Sequence, residues 1–422
     1  MKKCQLLIFE EQLYDGKSHH LAYYESILSA ARRSGNEVAL YANREVEEFV
    51  CRRLNAIPAL WTMAGFVASG PRRVANSFYR FVFLANNLLR NVAVCTSALK
   101  RHEPDVALCL STWIPHVVLF LLVSLKMGRS MPTLVLLFVW YPRIGKAKPR
   151  AFRLVRFFVR WLLKVHPQTY IFAETRYAQR AWEEFLGVPV SYVVHPVEVV
   201  NPTEENADKR KAEILKRRDA DCSALDTSAP AKRVVFGFYG FARHEQGVDV
   251  LMRALEILKN QGQFNAEFRI AWPKPFQMPD GSWMDREMFG HLGANVRFYE
   301  NPLSPDEYLQ ALADTDWLIL PYRVASYEGR CSRISIEACV MGIPVIYTQN
   351  TDLEKVVYEF GSGIPVCEEQ PEDLVAAIRM AVTENLLWQI KALEKRIAAQ
   401  LYFSGQSFVK EVTSLLGLKK LS

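Results

Sequence analysis

The apolar positions of the chain fall into short runs set between amphipathic stretches. Gln5–Phe9, Val38–Tyr41, Val106–Leu110, Thr133–Trp140 and Thr169–Ala173 are compact apolar segments too short for buried helices, and they read as buried strands. Leu21–Arg33, stopped by Gly35, repeats at helical spacing. A second series runs through Arg233–Tyr239, Glu267–Ala271, Val296–Phe298, Trp317–Leu320 and Pro344–Tyr347. Helical patterns at Val248–Leu258, Pro305–Asp314 and Ser332–Met341 lie between those runs. Alternating strands and helices predict an α/β protein with two doubly wound, Rossmann-like domains.

Asn201–Lys232 is polar and charged and reads as a connector. The expected organisation is a domain at 1–200, the connector at 201–232 and a second domain at 233–384. Closing helices in 385–422, at Asn385–Gln400 and Gln406–Leu416, are expected to pack back toward the N-terminal domain. Two such domains facing one another would make a central cleft. Ligands of open α/β sheets gather at the carboxyl ends of strands, so functional residues are expected just after strands.

Composition excludes little beyond disordered and fibrous classes: of 422 residues, 50% are hydrophobic and 23% charged. The eight cysteines show no C-x-x-C or zinc spacing, which points to reduced thiols in a cytosolic compartment. The apolar stretch at Cys4–Phe9 is too short for a signal peptide. Val117–Leu125 and Thr133–Trp140 fall short of the ~20 residues that span a bilayer, so no transmembrane helix is expected.

Charge changes the picture more. The net charge of +7 conceals 26 basic and 14 acidic residues in 1–200, a net of +12, against −5 in the remainder. The excess concentrates in Lys146–Lys164, which holds seven bases and no acid. Arg150, Arg153, Arg156, Arg160 and Lys164 share one stripe of a helix that is otherwise largely apolar, including Trp161. An anionic membrane surface is the favoured partner; the alternative is a helix packed on its own core with a solvated basic rim. Nucleic acid is disfavoured, because the stretch lacks Ser, Asn and Gln for base reading.

Two segments could hold an anionic ligand. The loop Gly240–Gly247 follows a strand, opens a helix and carries Arg243; helix dipole and guanidinium both favour a diphosphate. Tyr327–Ile346 brings Arg330 and Ser332 to the start of a helix carrying Glu337, before Gly342-Ile343-Pro344. A carboxylate one turn into that helix suits a ribose diol. With "GFARHEQGVDVLMRALEIL", "LSPDEYLQALADTDWLILPY" and "IEACVMGIPVI" in this order, residues 233–366 resemble the donor-binding domain of retaining GT-B glycosyltransferases of family 4. The first half resembles them more weakly, through "YDGKSHHLAYYESILSAARRSGNEVALY" and "FAETRYAQRAWEEFLGVPVSYVVHPV".

The resemblance implies a GT-B fold and a nucleotide-diphosphate sugar (UDP or GDP type) as donor, with no cofactor and no metal. Arg243 would bind the pyrophosphate, Glu337 the ribose, and backbone N–H groups near Ser332 the phosphates, with Gly16 also facing the donor. The chain departs twice from the pattern. The family's lysine falls on Gln246, and its first glutamate falls on Gly329, so that Glu328 or Arg330 would serve the transferred sugar. Structural alternatives are a surface pair of Arg243 with Glu245 and a helical pair of Glu337 with Arg333.

Gly16-Lys17-Ser18 imitates the end of a P-loop, but Glu11 stands where its first glycine is needed, and Glu10, Glu11 and Asp15 would repel phosphate. His19 or His20 in this loop could deprotonate an acceptor hydroxyl, with Asp15 or Glu11 orienting it; the alternative is a cleft lining without chemistry. Retaining relatives carry a histidine after a later strand, and His116 in that region matches imperfectly, so retention and inversion both stay open. Asp314-Thr315-Asp316 has the D-x-D form of a metal signature, disfavoured at a strand start. The expected protein is a glycosyltransferase acting on a saccharide or lipid-linked acceptor at the cytoplasmic membrane face, in surface polysaccharide or glycolipid synthesis. The alternatives are a non-catalytic GT-B homologue serving as scaffold or regulator and, more distantly, a GT-B epimerase.

Overall fold

The computed structural model describes residues 4–15, 20–63, 77–142, 150–197, 233–262 and 265–418. The connector read at 201–232 lies outside them.

The first unit is built on strands β1 (Gln5–Glu10), β2 (Glu37–Asn43), β3 (Ala56–Leu60), β4 (Val106–Cys109), β5 (Thr133–Phe138), β6 (Thr169–Ala173) and β7 (Ser191–Tyr192). They form one parallel sheet in the order β3-β2-β1-β4-β5-β6-β7. Its helices are α1 (His20–Arg33), α2 (Glu48–Leu54), α3 (Ser77–His102), α4 (Ile114–Met127), α5 (Arg150–Val165) and α6 (Arg176–Leu186). Every residue of β4 and β5 is buried, as a strand covered by helices on both faces requires.

The second unit holds β8 (Val234–Phe238), β9 (Ala266–Ala271), a short hairpin of β10 (Phe276–Gln277) and β11 (Trp283–Met284), then β12 (Val296–Tyr299), β13 (Trp317–Leu320), β14 (Val345–Thr348) and β15 (Gly363–Val366). Its main sheet is parallel in the order β12-β9-β8-β13-β14-β15. The helices are α7 (Val248–Asn260), α8 (Pro305–Ala313), α9 (Val324–Tyr327), α10 (Arg333–Met341), α11 (Asp352–Phe360), α12 (Pro371–Thr383) and α13 (Asn385–Tyr402). Helix α8 starts on a capping box: Ser304 N–H donates to Glu307 Oε2 at 2.8 Å, and Pro305 occupies the first turn.

In both sheets the chain winds outward on one side of the first strand and then crosses to the other. Each sheet therefore has one switch point, between β1 and β4 and between β8 and β13. The two closing helices separate: α13 packs on α10 and α11 in the second unit, whereas α14 (Gly405–Leu418) packs on α1 in the first. The latter contact is tight, because a Cβ on Gly405 would come within 2.3 Å of the Ser26 carbonyl oxygen.

One helix among the described residues, at Val82–His102 within α3, is long and apolar enough to cross a membrane by composition, a segment the expectation of none overlooked. In this fold it packs beside α4 and buries Asn91, Cys95, Ala98 and Leu99.

Candidate functional site

The two loops singled out in the second half follow β8 and β13, so the topology brings them together at the switch point. Gly247 makes the approach possible. Its φ is +69°, and a Cβ there would sit 1.9 Å from the Pro321 carbonyl oxygen. Arg323 locks the junction. Its backbone N–H donates to the Glu245 carbonyl at 3.0 Å, and its buried guanidinium reaches Asp249 Oδ2 at 2.6 Å and Glu369 Oε1 at 2.8 Å. Sequence reasoning missed Arg323, since nothing local distinguishes an arginine one residue past "LPY".

Arg243 and Arg330 are the predicted residues that converge. Their Nη1 atoms lie 3.2 and 3.3 Å from the same oxygen, Oε1 of Glu245. Two half-exposed guanidiniums thus define one anion position, which a carboxylate from the chain itself fills. Gln246 turns inward instead: it is buried against Gly240 and hydrogen-bonds the Tyr327 hydroxyl. Glu328 is half-buried just beyond α9. Ser332 is buried as the residue before α10, bonded to the Tyr322 hydroxyl.

Glu337 is buried, and both its oxygens are engaged. Tyr308 donates to Oε2 at 2.5 Å and Arg333 Nε to Oε1 at 2.7 Å. The helical pair with Arg333 is therefore formed, leaving one lone pair per oxygen for any further donor. Burial, reinforced by the Glu337 charge, holds the Tyr308 hydroxyl well above its ordinary pKa, so it stays a donor. The D-x-D pair is spent on the fold. Asp316 accepts from Val235 N–H and from Gln389 Nε2, both at 2.9 Å, and Asp314 accepts from Gln310 at 2.9 Å. Among the described residues no three His, Cys, Asp or Glu side chains cluster as metal ligands.

In the first unit, Gly16 and His19 lie outside the described residues. His20 opens α1, its side chain likewise outside, and Asp15 is half-buried. Glu11 is not free to orient a histidine from that loop. Its Oε2 accepts the Met63 N–H at 2.6 Å, and its Oε1 lies 3.4 Å from His116 Nε2. His116 accepts the Trp113 N–H on Nδ1 at 3.0 Å, which leaves its ring proton on Nε2, facing Glu11. A second pair went unread in the sequence: His195, after β7, holds its Nδ1 2.9 Å from Oε1 of Glu174, after β6. Tyr23 donates to that oxygen at 3.1 Å, and His195 Nε2 is buried with no hydrogen-bond partner among the described residues. The signal lay in "AETRY" and "VVHPV", two segments that only a shared sheet edge makes neighbours.

On α5, Val155, Val159 and Leu162 face the core, while Arg153, Arg156, Arg160 and Lys164 are exposed; the Arg150 side chain lies outside the described residues. Arg160 has a structural task, its Nε donating to the Leu186 carbonyl at 3.1 Å at the end of α6. Leu154, Phe157 and Trp161 are also exposed, at 54%, 59% and 42%, and form an apolar strip beside the bases.

Comparison with known proteins agrees with this architecture. Residues 233–384 match the family model described as glycosyl transferases group 1. No curated protein matches the chain in sequence. Among solved structures, a glycosyltransferase from Rickettsia africae is similar at 13% identity over 99% of both chains, with a TM-score of 0.67. HepE from Anabaena, crystallised with UDP-glucose, is similar at 12% identity over 98% of this chain and 99% of that one, with a TM-score of 0.62. WaaG, a glycosyltransferase involved in lipopolysaccharide biosynthesis, is similar at 15% identity over 97% and 99%, with a TM-score of 0.59. At such identities the structural likeness speaks for the fold. Residues 233–384 therefore match a group 1 glycosyl transferase domain within a chain of GT-B fold, and the expectation of a glycosyltransferase of that fold stands.

Proposed function

We propose that the protein transfers a sugar from a nucleotide-diphosphate donor, held by the loops after β8 and β13, to a saccharide or lipid-linked acceptor on the first domain. The convergence of Arg243 and Arg330 on one anion position at a sheet switch point carries the donor half. A diphosphate oxygen there gains two charge-assisted contacts beside the loop that opens α7. The UDP and UDP-glucose complexes of HepE support the same class of donor. Isothermal titration of UDP and GDP against the wild type and Arg243→Ala tests it. Weakened binding in the variant is expected; equal binding by both proteins refutes the assignment.

The acceptor half rests on α5. Its exposed bases and the apolar strip Leu154, Phe157 and Trp161 suit a helix lying in an anionic membrane surface, each base worth about 1 kcal/mol near such lipid. This reading makes the enzyme peripheral at the cytoplasmic face, acting in surface polysaccharide or glycolipid synthesis, as the lipopolysaccharide role of WaaG suggests. Co-sedimentation with anionic vesicles should fall in an Arg153→Glu/Arg156→Glu/Lys164→Glu variant, with Arg160 left in place for its bond to α6. Unchanged sedimentation removes the membrane half.

A further inference from the structure

Arg44 follows β2, Trp61 follows β3, and Arg90 lies on α3. The Arg44 guanidinium carbon is 3.8 Å from the Trp61 ring centroid and that of Arg90 is 4.0 Å from it. The two cations are thus within about 8 Å of one another. Both arginines are exposed, and neither guanidinium has a carboxylate or carbonyl partner among the described residues. Each guanidinium carries five N–H donors beside the indole.

The indole that both guanidiniums approach is anchored, not incidental. Trp61 N–H donates to Asn91 Oδ1 at 2.8 Å, and Asn91 Nδ2 returns a bond to the Trp61 carbonyl at 2.6 Å. Asn87 Nδ2 holds the Thr62 carbonyl at 2.8 Å, and Asn43 Nδ2 holds Thr62 Oγ1 at 3.0 Å. Four polar contacts, from two elements, therefore fix the segment that carries the ring. The stretch from Phe49 to His102 contains no Asp or Glu, so the chain places no acid of that segment against the pair. Stacking two like charges on one rigid ring is unfavourable until an anion joins them, and the place is the carboxyl edge of a doubly wound sheet, where ligands bind.

We infer that Arg44, Trp61 and Arg90 form an anion subsite that takes a phosphoryl group. Two exposed guanidiniums no more than about 8 Å apart can converge on one tetrahedral dianion, and arginine's planar fork suits it. On the glycosyl-transfer reading above, on which this part alone rests, the group belongs to the acceptor, so the acceptor is a phosphorylated or lipid-phosphate-linked saccharide.

The test uses the full chain and two probes. Phosphorus NMR titration with inorganic phosphate reads binding of a free anion. Co-sedimentation with phosphatidylcholine vesicles containing phosphatidic acid reads a lipid headgroup. Arg44→Gln/Arg90→Gln should lower affinity for at least one probe by about tenfold, as lost charge-assisted bonds imply. Arg129→Ala, an exposed arginine elsewhere on the first unit, should leave both unchanged. Loss confined to phosphate identifies a soluble phosphorylated ligand, and loss confined to vesicles a headgroup; either supports the subsite. If the paired variant binds both probes as the wild type does, or loses no more than Arg129→Ala, the inference is overturned. Arg44→Ala/Arg90→Ala gives a second measurement should the glutamine pair misfold by circular dichroism. UDP titration of the same preparations separates the two claims: absent UDP binding with arginine-dependent phosphate binding sinks the enzymatic reading and leaves the subsite.

Discussion

Gly247→Ala probes the point on which the donor site depends. Two costs separate cleanly, because Gly35 supplies a control. Gly35 has a φ of +75° with nothing within 4 Å of an added Cβ, so Gly35→Ala pays only for a left-handed backbone, about 1 kcal/mol. Gly247 has nearly the same φ, +69°, but its Cβ would lie 1.9 Å from a backbone oxygen, far inside the ~3.5 Å of ordinary contact. Pro321 would have to retreat, and Arg323 two residues on would be drawn from Glu245 and from its buried pair with Asp249. Disturbing a buried pair of this kind costs about 3–5 kcal/mol when it breaks outright. We therefore expect Gly247→Ala to lose about 3–5 kcal/mol in urea unfolding, followed by tryptophan fluorescence, and to lose UDP binding as well. A cost no larger than that of Gly35→Ala would show that the two loops do not depend on this approach.

Glu245→Gln removes the carboxylate that occupies the Arg243–Arg330 position. As partly exposed pairs are worth about 0.2–1 kcal/mol each, losing both should let UDP bind about two- to thirtyfold more tightly by titration; unchanged or weaker binding contradicts the competition. Asp352, buried in the first turn of α11, has its pKa pushed up to about 7 by desolvation, with Lys355 opposing. Its folded value exceeds the ordinary 3.8, so the native state holds the proton more tightly. Stability from this group is full below that value and is lost as pH rises toward 7. Asp352→Asn should flatten that fall in urea melts, and a slope that persists unchanged refutes the assignment. Tyr308→Phe leaves a buried oxygen of Glu337 without its donor and should cost about 1–3 kcal/mol in the same assay, with no cost meaning that the bond carries nothing.

Of the strands that the apolar pattern missed, β3, β7, β10, β11 and β15, two share a cause. β3 and β15 are edge strands, and each contains a proline, Pro58 in Ala56–Leu60 and Pro365 in Gly363–Val366. A proline in a short apolar run argues against a strand, yet at an edge its missing N–H faces no partner. Each also alternates buried and exposed residues at one or more positions, unlike the fully buried central strands that were read directly. Central parallel strands such as β4 and β5 announce themselves because both faces must be apolar; of the four edge strands of the two parallel sheets only β12 was read.

The site divides along a similar line. Arg243, Arg330 and Glu337 were legible because each stands at a fixed offset from a strand end or a glycine. The pairs of Arg243 with Glu245 and of Glu337 with Arg333 were legible too, because they lie close in sequence; the contacts of Arg330 with Glu245 and of Tyr308 with Glu337 were not, because they are chosen by tertiary neighbours rather than by spacing. Glu245 is two residues from Arg243 and 85 from Arg330, and only the switch point puts it between them. Arg323 and Asp249 are 74 residues apart, Glu174 and His195 are 21 apart, and Arg44, Trp61 and Arg90 come from three elements. In each case the sheet edge performs the juxtaposition. A residue type at a strand's carboxyl end can thus be anticipated from sequence, but whether its charge meets a ligand or a neighbour is decided by which strands lie side by side. Gln246 shows the consequence: read along the chain it replaces a cation facing the donor, whereas in the fold its amide is turned inward, against Gly240 and Tyr327.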